Sequence, residues 1–365
     1  MIPFTCGFIG LGLIGGSIAK ALRASDASVH IMAYDINQES LLLAKKEGVI
    51  DEVCTSITPS FGDCDFIFLC APVSKNDENI SKIGQFIHPD CILTDVGSVK
   101  STIHDAIREH KLEDNFIGGH PMAGSEKTGY SNANPLLLEN AYYILTPTPS
   151  VSPDKVEKYR ILVSSMGALP IIMDYHKHDY ITSVVSHIPH IIASSLVNLV
   201  HDTDEDGLMR MIAAGGFKDI TRIASSSPGM WQQICFSNKE NISRVLTSYI
   251  ASLEQIQKDL EGNSGEEIYQ LFADAKDYRD SFINAASGPL KKVYDIYLDL
   301  PDEAGAIAKT AAILAQNAIS IKNIGIMHNR EFQEGVLRIE FYDESATKEA
   351  SLLLKNNNYT IYERN

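Results

Sequence analysis

The sequence predicts a three-part chain. A doubly wound parallel-sheet α/β domain covers residues 1–173, an all-helical domain residues 174–288, and a ferredoxin-like α+β domain residues 289–365. Three observations predict it. A glycine-rich strand-turn-helix opens the chain, strand signals nearly vanish after Asp174, and a β-α-β-β-α-β order follows a hinge at Ser287-Gly288-Pro289.

Residues 4–9 form a short apolar run, as a buried parallel strand requires. Gly10-Leu11-Gly12-Leu13-Ile14-Gly15 follows, a G-x-G-x-x-G, and Ile14, Ile18, Ala21 and Leu22 keep helical spacing after it. A second strand over 29–34 ends at Asp35, twenty residues past Gly15. That context gives the motif its meaning. Gly10 permits the tight turn, Gly12 lets a pyrophosphate approach the backbone, and Gly15 lets helix and strand pack closely. The helix start offers free N–H groups to the phosphates. Asp35 can accept both ribose hydroxyls and would repel a 2′-phosphate, so the cofactor is expected to be NAD. A turn that merely joins strand to helix is the plainer alternative. The spaced aspartate favours the Rossmann-type dinucleotide site.

Further strands are expected over 64–70 and 91–95. The loop after the first, Ala71-Pro72-Val73, should line the nucleotide crevice. A helix is expected over 80–87, and Ser98 is placed to cap one over 99–109. Residues 116–126 read as a strand end opening into a loop. Strands over 142–145 and 169–172 flank a helix over 153–166. Helices then dominate, over 178–200, 239–260 and 266–285, with a break over 214–223. A helical domain of this length would bury its faces against a second copy, so a homodimer is expected. In the tail, strands over 293–300, 319–327, 336–341 and 359–362 alternate with helices from about 305 to 316 and over 348–355.

The net charge of −16, from 31 basic and 47 acidic residues, argues against nucleic-acid binding. An anionic substrate therefore needs a local basic pocket. The six cysteines form no C-x-x-C and sit in apolar runs, so they read as core residues in a reducing compartment. No signal peptide precedes the first strand and no apolar run looks long enough to span a membrane. A cytoplasmic protein without a membrane partner is expected.

His120 lies just beyond the expected strand, after Gly118-Gly119 and before Pro121. A histidine there can serve as general base, or merely hydrogen-bond its own loop. Beside a dinucleotide fold the base reading gains weight, because hydride removal from an alcohol leaves a hydroxyl proton to be taken. In Ser186-His187-Ile188-Pro189-His190 the proline should disturb the helix and free a carbonyl. A metal is not expected, since no nearby carboxylate or cysteine completes a ligand set. Lys218 and Arg222 are four apart and would share a helical face. They are either a solvated basic face or an anion site, where a guanidinium can hold a carboxylate through paired hydrogen bonds.

Five blocks together resemble the prephenate dehydrogenases. They are residues 10–17, Asp95-Val-Gly-Ser-Val-Lys100, Gly118-Gly-His-Pro-Met-Ala-Gly-Ser-Glu126, Val185-Ser-His-Ile-Pro-His190 and Gly215-Gly-Phe-Lys-Asp-Ile-Thr-Arg222. The tail resembles an ACT domain, a small amino-acid-sensing module. The resemblance implies NAD-dependent oxidative decarboxylation of prephenate to 4-hydroxyphenylpyruvate, in tyrosine biosynthesis. It implies that His120 takes the proton of the ring hydroxyl, with Ser98 beside the nicotinamide and orienting it. The substrate pocket would use Ser125, His187, Gly215, Lys218, Arg222 and Trp231, with Arg222 on a carboxylate. The cofactor would contact Gly10, Leu11, Gly12, Leu13, Ile14, Gly15, Asp35, Ala71, Pro72 and Ser98. Tyrosine would act as effector through Asp302, Ala304, Gly305 and Asn323. Asn76 departs from a threonine common in the family, so that loop's contacts are open. Three other readings remain: an arogenate dehydrogenase, a hydroxy-acid dehydrogenase, and a non-catalytic sensor of NAD and an amino acid.

Overall fold

The computed structural model describes residues 4–124, 127–284, 294–300, 303, 305–327 and 335–362. The chain divides into two compact units, residues 1–270 and 271–365.

In the first unit, strands β1 (Thr5–Ile9), β2 (His30–Tyr34), β3 (Glu52–Cys54), β4 (Phe66–Leu69) and β5 (Ile92–Asp95) form a parallel sheet in the order β3-β2-β1-β4-β5. Side chains alternate between two cores. Phe8, Phe66 and Phe68 point into one, while Ile9, Ile67, Leu69 and Leu93 point into the other. Phe8 and Phe68 stack at 4.8 Å. Each such side chain contributes about 1.5–3 kcal/mol by leaving water. Burial on both faces is why these strands read as continuous apolar runs.

A second sheet holds β6 (Ile117–Pro121), β7 (Tyr142–Pro147) and β8 (Leu169–Ile172), with β6 antiparallel and β8 parallel to β7. A parallel bridge between Leu93 and Phe116 lays β6 beside the end of β5. His120 is thus inside a strand, opposite Ile144, rather than on the loop beyond it. Short β3, three residues long, carried too little pattern to be anticipated. The expected helix over 99–109 runs Ser101–Glu109, and Ser98 does not cap it. Its first N–H groups are taken instead by Asp179, from a helix far along the chain.

The helical region contains no strand among its described residues, 175–284. Tyr175–Thr182, a π-helical turn Ser183–His187 and Ile188–Thr203 run continuously. The π turn sits just before Pro189, which lacks the N–H to continue regular pairing. Contrary to the sequence expectation, this 29-residue stretch is long and apolar enough to span a membrane by length and composition. Helices Leu208–Ile212, Gly215–Thr221, Pro228–Ser237, Lys239–Glu261 and Gly265–Asn284 follow, with a 3-10 turn Arg222–Ser225 in the predicted break. In the single chain this region exposes Val185, Leu199, Met211, Ile212, Ile220 and Phe236.

In the second unit, β9 (Tyr294–Leu300), β10 (Asn323–Met327), β11 (Gly335–Phe341) and β12 (Ile361–Tyr362) form an antiparallel sheet in the order β10-β11-β9-β12. Helices Ala306–Gln316 and Glu344–Asn356 complete the ferredoxin-like order. Leu298, Leu337, Ile339 and Phe341 pack against Leu314, Ala350 and Leu354. Gly305, at φ +91°, turns the chain into the first helix. Asn323 begins edge strand β10, opposite Glu340. The hinge at 287–289 and the residues Asp302, Ala304 and Ser125 lie outside the described residues.

Candidate active site

The glycine-rich turn joins β1 to helix Leu13–Ser25. Gly10 has φ +96°, and a Cβ there would lie 2.5 Å from the Ala71 nitrogen. The turn thus presses on the loop after β4, which carries Ala71 and Pro72. A Cβ on Gly15 would lie 2.7 Å from the Gly10 carbonyl oxygen. Gly12 differs: a Cβ there would meet nothing within 4 Å. Gly12 is also the N-cap of the helix and supplies no capping side chain. Open space thus lies at a helix start with free N–H groups, as a pyrophosphate needs. Leu11 is buried, and Ile14 packs on the core. Asp35, at the end of β2, accepts from the Leu11 N–H at 2.5 Å and from the Asn37 N–H at 2.7 Å. The carboxylate therefore also shapes the turn. These residues fit a dinucleotide with free ribose hydroxyls.

Near the C-terminal ends of β5 and β6 a chain of side chains fixes one tautomer. Asp179 Oδ1 accepts from His178 Nδ1 at 2.8 Å, so His178 Nδ1 carries the proton. A neutral His178 then presents a lone pair at Nε2. His120 Nδ1 lies 2.8 Å from that atom and must donate to it. The lone pair of His120 is thereby left on Nε2, which has no hydrogen-bond partner among the described residues. Burial, then the neighbouring His178, Lys100 and His187, hold His120 well below the ordinary histidine range. Burial also lowers His178, although its bond to Asp179 opposes this. Both rings are neutral, which the tautomer argument requires. Burial raises Asp179, but bonds from His178, Ser101 and two backbone N–H groups outweigh it and keep the carboxylate ionised. A neutral, oriented imidazole with a free lone pair has the chemistry a general base needs.

A second cluster adjoins the first. Asn238 donates from Nδ2 to the Asp179 carbonyl at 2.8 Å and to His187 Nδ1 at 3.2 Å. His187 Nδ1 is therefore an acceptor, and its proton sits on Nε2. That Nε2 is buried without a hydrogen-bond partner among the described residues, and so is the Trp231 Nε1–H. Burial pushes His187 down to about 4, so the ring donates as a neutral imidazole. The His187 and Trp231 rings meet edge to face, and His190 stacks on Trp231 at 3.8 Å. His190 Nδ1 donates to the Ser186 carbonyl at 2.9 Å, beside the turn that Pro189 disturbs. Leaving a buried donor unpaired costs about 1–3 kcal/mol, which an acceptor in the cleft removes.

The structure brings His120 and His187 into one network through His178, Asp179 and Asn238. Ser98 lies partly exposed on the loop after β5, and its side chain makes no hydrogen bond among the described residues. The helix and turn that carry Gly215, Lys218 and Arg222 pack along helix Ile188–Thr203, and these three residues are exposed in the single chain. Sequence reasoning missed His178, Asp179, Asn238, Asp95 and Lys100. A signal in the sequence was the adjacent histidine and acid, His178-Asp179, at the start of the long helical stretch.

The chain resembles known proteins over most of its length. Residues 18–172 match the family model for the prephenate dehydrogenase nucleotide-binding domain, and residues 174–274 that for its dimerization domain. The chain is 39% identical to a prephenate dehydrogenase of Bacillus subtilis (strain 168), over 93% of each chain. It resembles a solved prephenate dehydrogenase from A. aeolicus, in complex with hydroxyphenyl propionate and NAD+. That likeness has TM-score 0.72 and 34% identity, over 77% of this chain and 99% of that one. It also resembles Synechocystis arogenate dehydrogenase, with TM-score 0.69 and 27% identity, over 76% of this chain and 99% of that one.

Proposed function

The chain belongs to the prephenate dehydrogenase family, and from that premise we propose that it oxidatively decarboxylates prephenate to 4-hydroxyphenylpyruvate with NAD. The observation that carries the chemistry is the tautomer chain Asp179–His178–His120, which leaves a lone pair on His120 Nε2.

His120 Nε2 takes the proton of the ring hydroxyl. The Gly10–Gly15 turn and Asp35 would hold NAD, which when bound would supply the acceptor for the hydride of the carbinol carbon. As the ring C–COO⁻ bond breaks, its electron pair passes through the ring to the oxygen, which takes a proton back from His120. Carbon dioxide leaves and the ring becomes aromatic. Aromatisation supplies the driving force, so the protein's task is alignment. The paired donors His187 Nε2–H and Trp231 Nε1–H suit a substrate carboxylate. In our reading Arg222 clamps another, with Lys218, Gly215 and Ser125 beside it. Ser98, on the loop after β5, would sit near the nicotinamide and help orient His120.

The exposed apolar side chains of the helical region support a homodimer, which would also cover the segment from Gly215 to Arg222. Free cysteines and NAD chemistry suit a cytoplasmic enzyme. The ferredoxin-like unit supports feedback by tyrosine. Gly305 starts a helix whose N–H groups suit a carboxylate, and Asn323 lies on an open edge strand. A second reading, arogenate as substrate, is favoured by the likeness to the Synechocystis enzyme.

Absorbance of NADH formed from prephenate and from arogenate, with and without tyrosine, tests this. Turnover of prephenate is expected to exceed that of arogenate and to fall with tyrosine. NAD reduction by neither substrate would overturn the reading. Faster turnover of arogenate would reassign the substrate, and indifference to tyrosine would remove the feedback.

A further inference from the structure

Lys100 and Asp95 form an ion pair that neither the cofactor turn nor the substrate donors use. Nζ lies 2.5 Å from Oδ2, and the two side chains are 0% and 2% exposed. A buried pair of this kind contributes little net stability over apolar residues of similar size, so stability alone does not account for it. Its other bonds converge on one neighbour. Lys100 Nζ donates to the Gly119 carbonyl at 2.6 Å, and the Gly119 N–H donates to Asp95 Oδ1 at 3.2 Å. Asp95 Oδ2 also accepts from the Gly97 N–H at 2.9 Å, on the loop that carries Ser98. Gly119 immediately precedes His120, and a Cβ on it would lie 2.5 Å from the Asp95 carbonyl. The backbone entering His120 is therefore gripped at both polar atoms.

The ring is held by a second route that returns to the same residue. The Lys100 backbone N–H donates to Asp179 Oδ1 at 2.7 Å, and that same oxygen receives His178 Nδ1. His178 in turn receives His120 Nδ1. Backbone and ring of His120 are thus fixed by two paths that meet at Lys100, one through its side chain and one through its N–H.

We propose that Lys100, paired with Asp95, is a positioning residue for His120 in the reaction proposed above. This rests on His120 being the base. His178, Lys100 and His187 act on the His120 ring directly, while Asp95 and Asp179 reach it through Lys100 and His178. Among them the Lys100 cation disfavours a protonated ring, which keeps the base ready.

The test uses Lys100→Met and the double variant Asp95→Asn/Lys100→Met in the full chain. The single variant leaves Asp95 buried without its cation, so the double variant keeps the question open if the single one does not fold. Three quantities are read: kcat against KM for NAD, the pH midpoint of kcat/KM, and the titration of the His120 ring by proton NMR without ligands. In both variants kcat should fall by on the order of 100-fold with KM for NAD near wild type, as misplacement of about an ångström does. In Lys100→Met the midpoint and the ring titration should rise by about one pH unit, a tenfold gain in proton affinity. In the double variant they should return toward wild type while kcat stays low. A folded double variant with kcat within about twofold of wild type would overturn the proposal, as would an unmoved ring titration in Lys100→Met. The parent reading fails separately: full turnover in His120→Asn refutes the base, whereas an inactive His120→Asn beside normal Lys100 variants refutes only the positioning role.

Discussion

His120 Nδ1 donates to His178 Nε2 at 2.8 Å, and this one bond decides which nitrogen of His120 can act. The direction is forced from the far end. A carboxylate can only accept, so Asp179 sets His178, and His178 sets His120. The arrangement makes Nε2 basic and keeps the ring from turning.

Removing the middle of this chain tests it. His178→Leu deletes the acceptor while leaving an apolar side chain of similar bulk. Turnover should fall by on the order of 100-fold, with KM for NAD little changed. His120→Asn should lose more, roughly 100- to 10,000-fold, because the base itself is gone. In wild type, the acid limb of kcat/KM should lie below the ordinary histidine range, since the free enzyme's base is held well below it. An acid limb centred near 6.5 in wild type would contradict the buried, neutral pair.

Asp35→Ala should weaken NAD more than NADP. The carboxylate disfavours a 2′-phosphate by about 1 to 4 kcal/mol at contact distance, and alanine removes that penalty along with the ribose bonds. The bond to the Leu11 N–H adds a further loss for both cofactors, because the turn is freed as well. Binding of each cofactor to wild type and variant decides this. Equal use of NAD and NADP by wild type would dismiss Asp35 as the selector.

Arg222→Ala should cost about 2 to 5 kcal/mol in kcat/KM if a second copy buries the pair with a substrate carboxylate. Arg222→Lys should recover part of this, since an ammonium lacks the planar fork. Full recovery in the lysine variant would mean that charge alone suffices.

The cofactor site was legible because it is local. Strand, glycine turn, helix and Asp35 lie within about one βαβ unit, and each follows from backbone sterics or hydrogen-bonding need. His120 could be named but not its working nitrogen, because that depends on His178, 58 residues away. Ser98 was the natural cap by spacing, yet Asp179 reaches the same N–H groups across 79 and 78 residues. Local pattern cannot compete with a tertiary partner it does not contain. Asp95 and Lys100 stood in the sequence only as the two ends of a family-like block, since nothing in sequence separates a buried lysine from a solvated one.

Acid should weaken the first unit through its neutral histidines. His104 is buried, stacks on Tyr175 at 4.2 Å and shares a 3.0 Å bond with Thr146. Burial, then the Lys100 charge, pushes it down to about 4, and burial pushes His187 to a similar value. In the unfolded chain both return to about 6.5. Between these limits the unfolded state binds more protons, so stability rises with pH there. Above about 6.5 both contributions are fully present. As pH falls from 6.5 towards 4 each histidine removes about 1.4 kcal/mol per pH unit. Asp179, held low by its bonds, stays ionised through this window and does not offset the loss. His104 lies outside the proposed chemistry, so His104→Gln isolates one term. Urea unfolding followed from pH 7 to 4 should show a slope smaller by about one proton in that variant. An unchanged slope would mean that His104 does not titrate on unfolding as its burial requires.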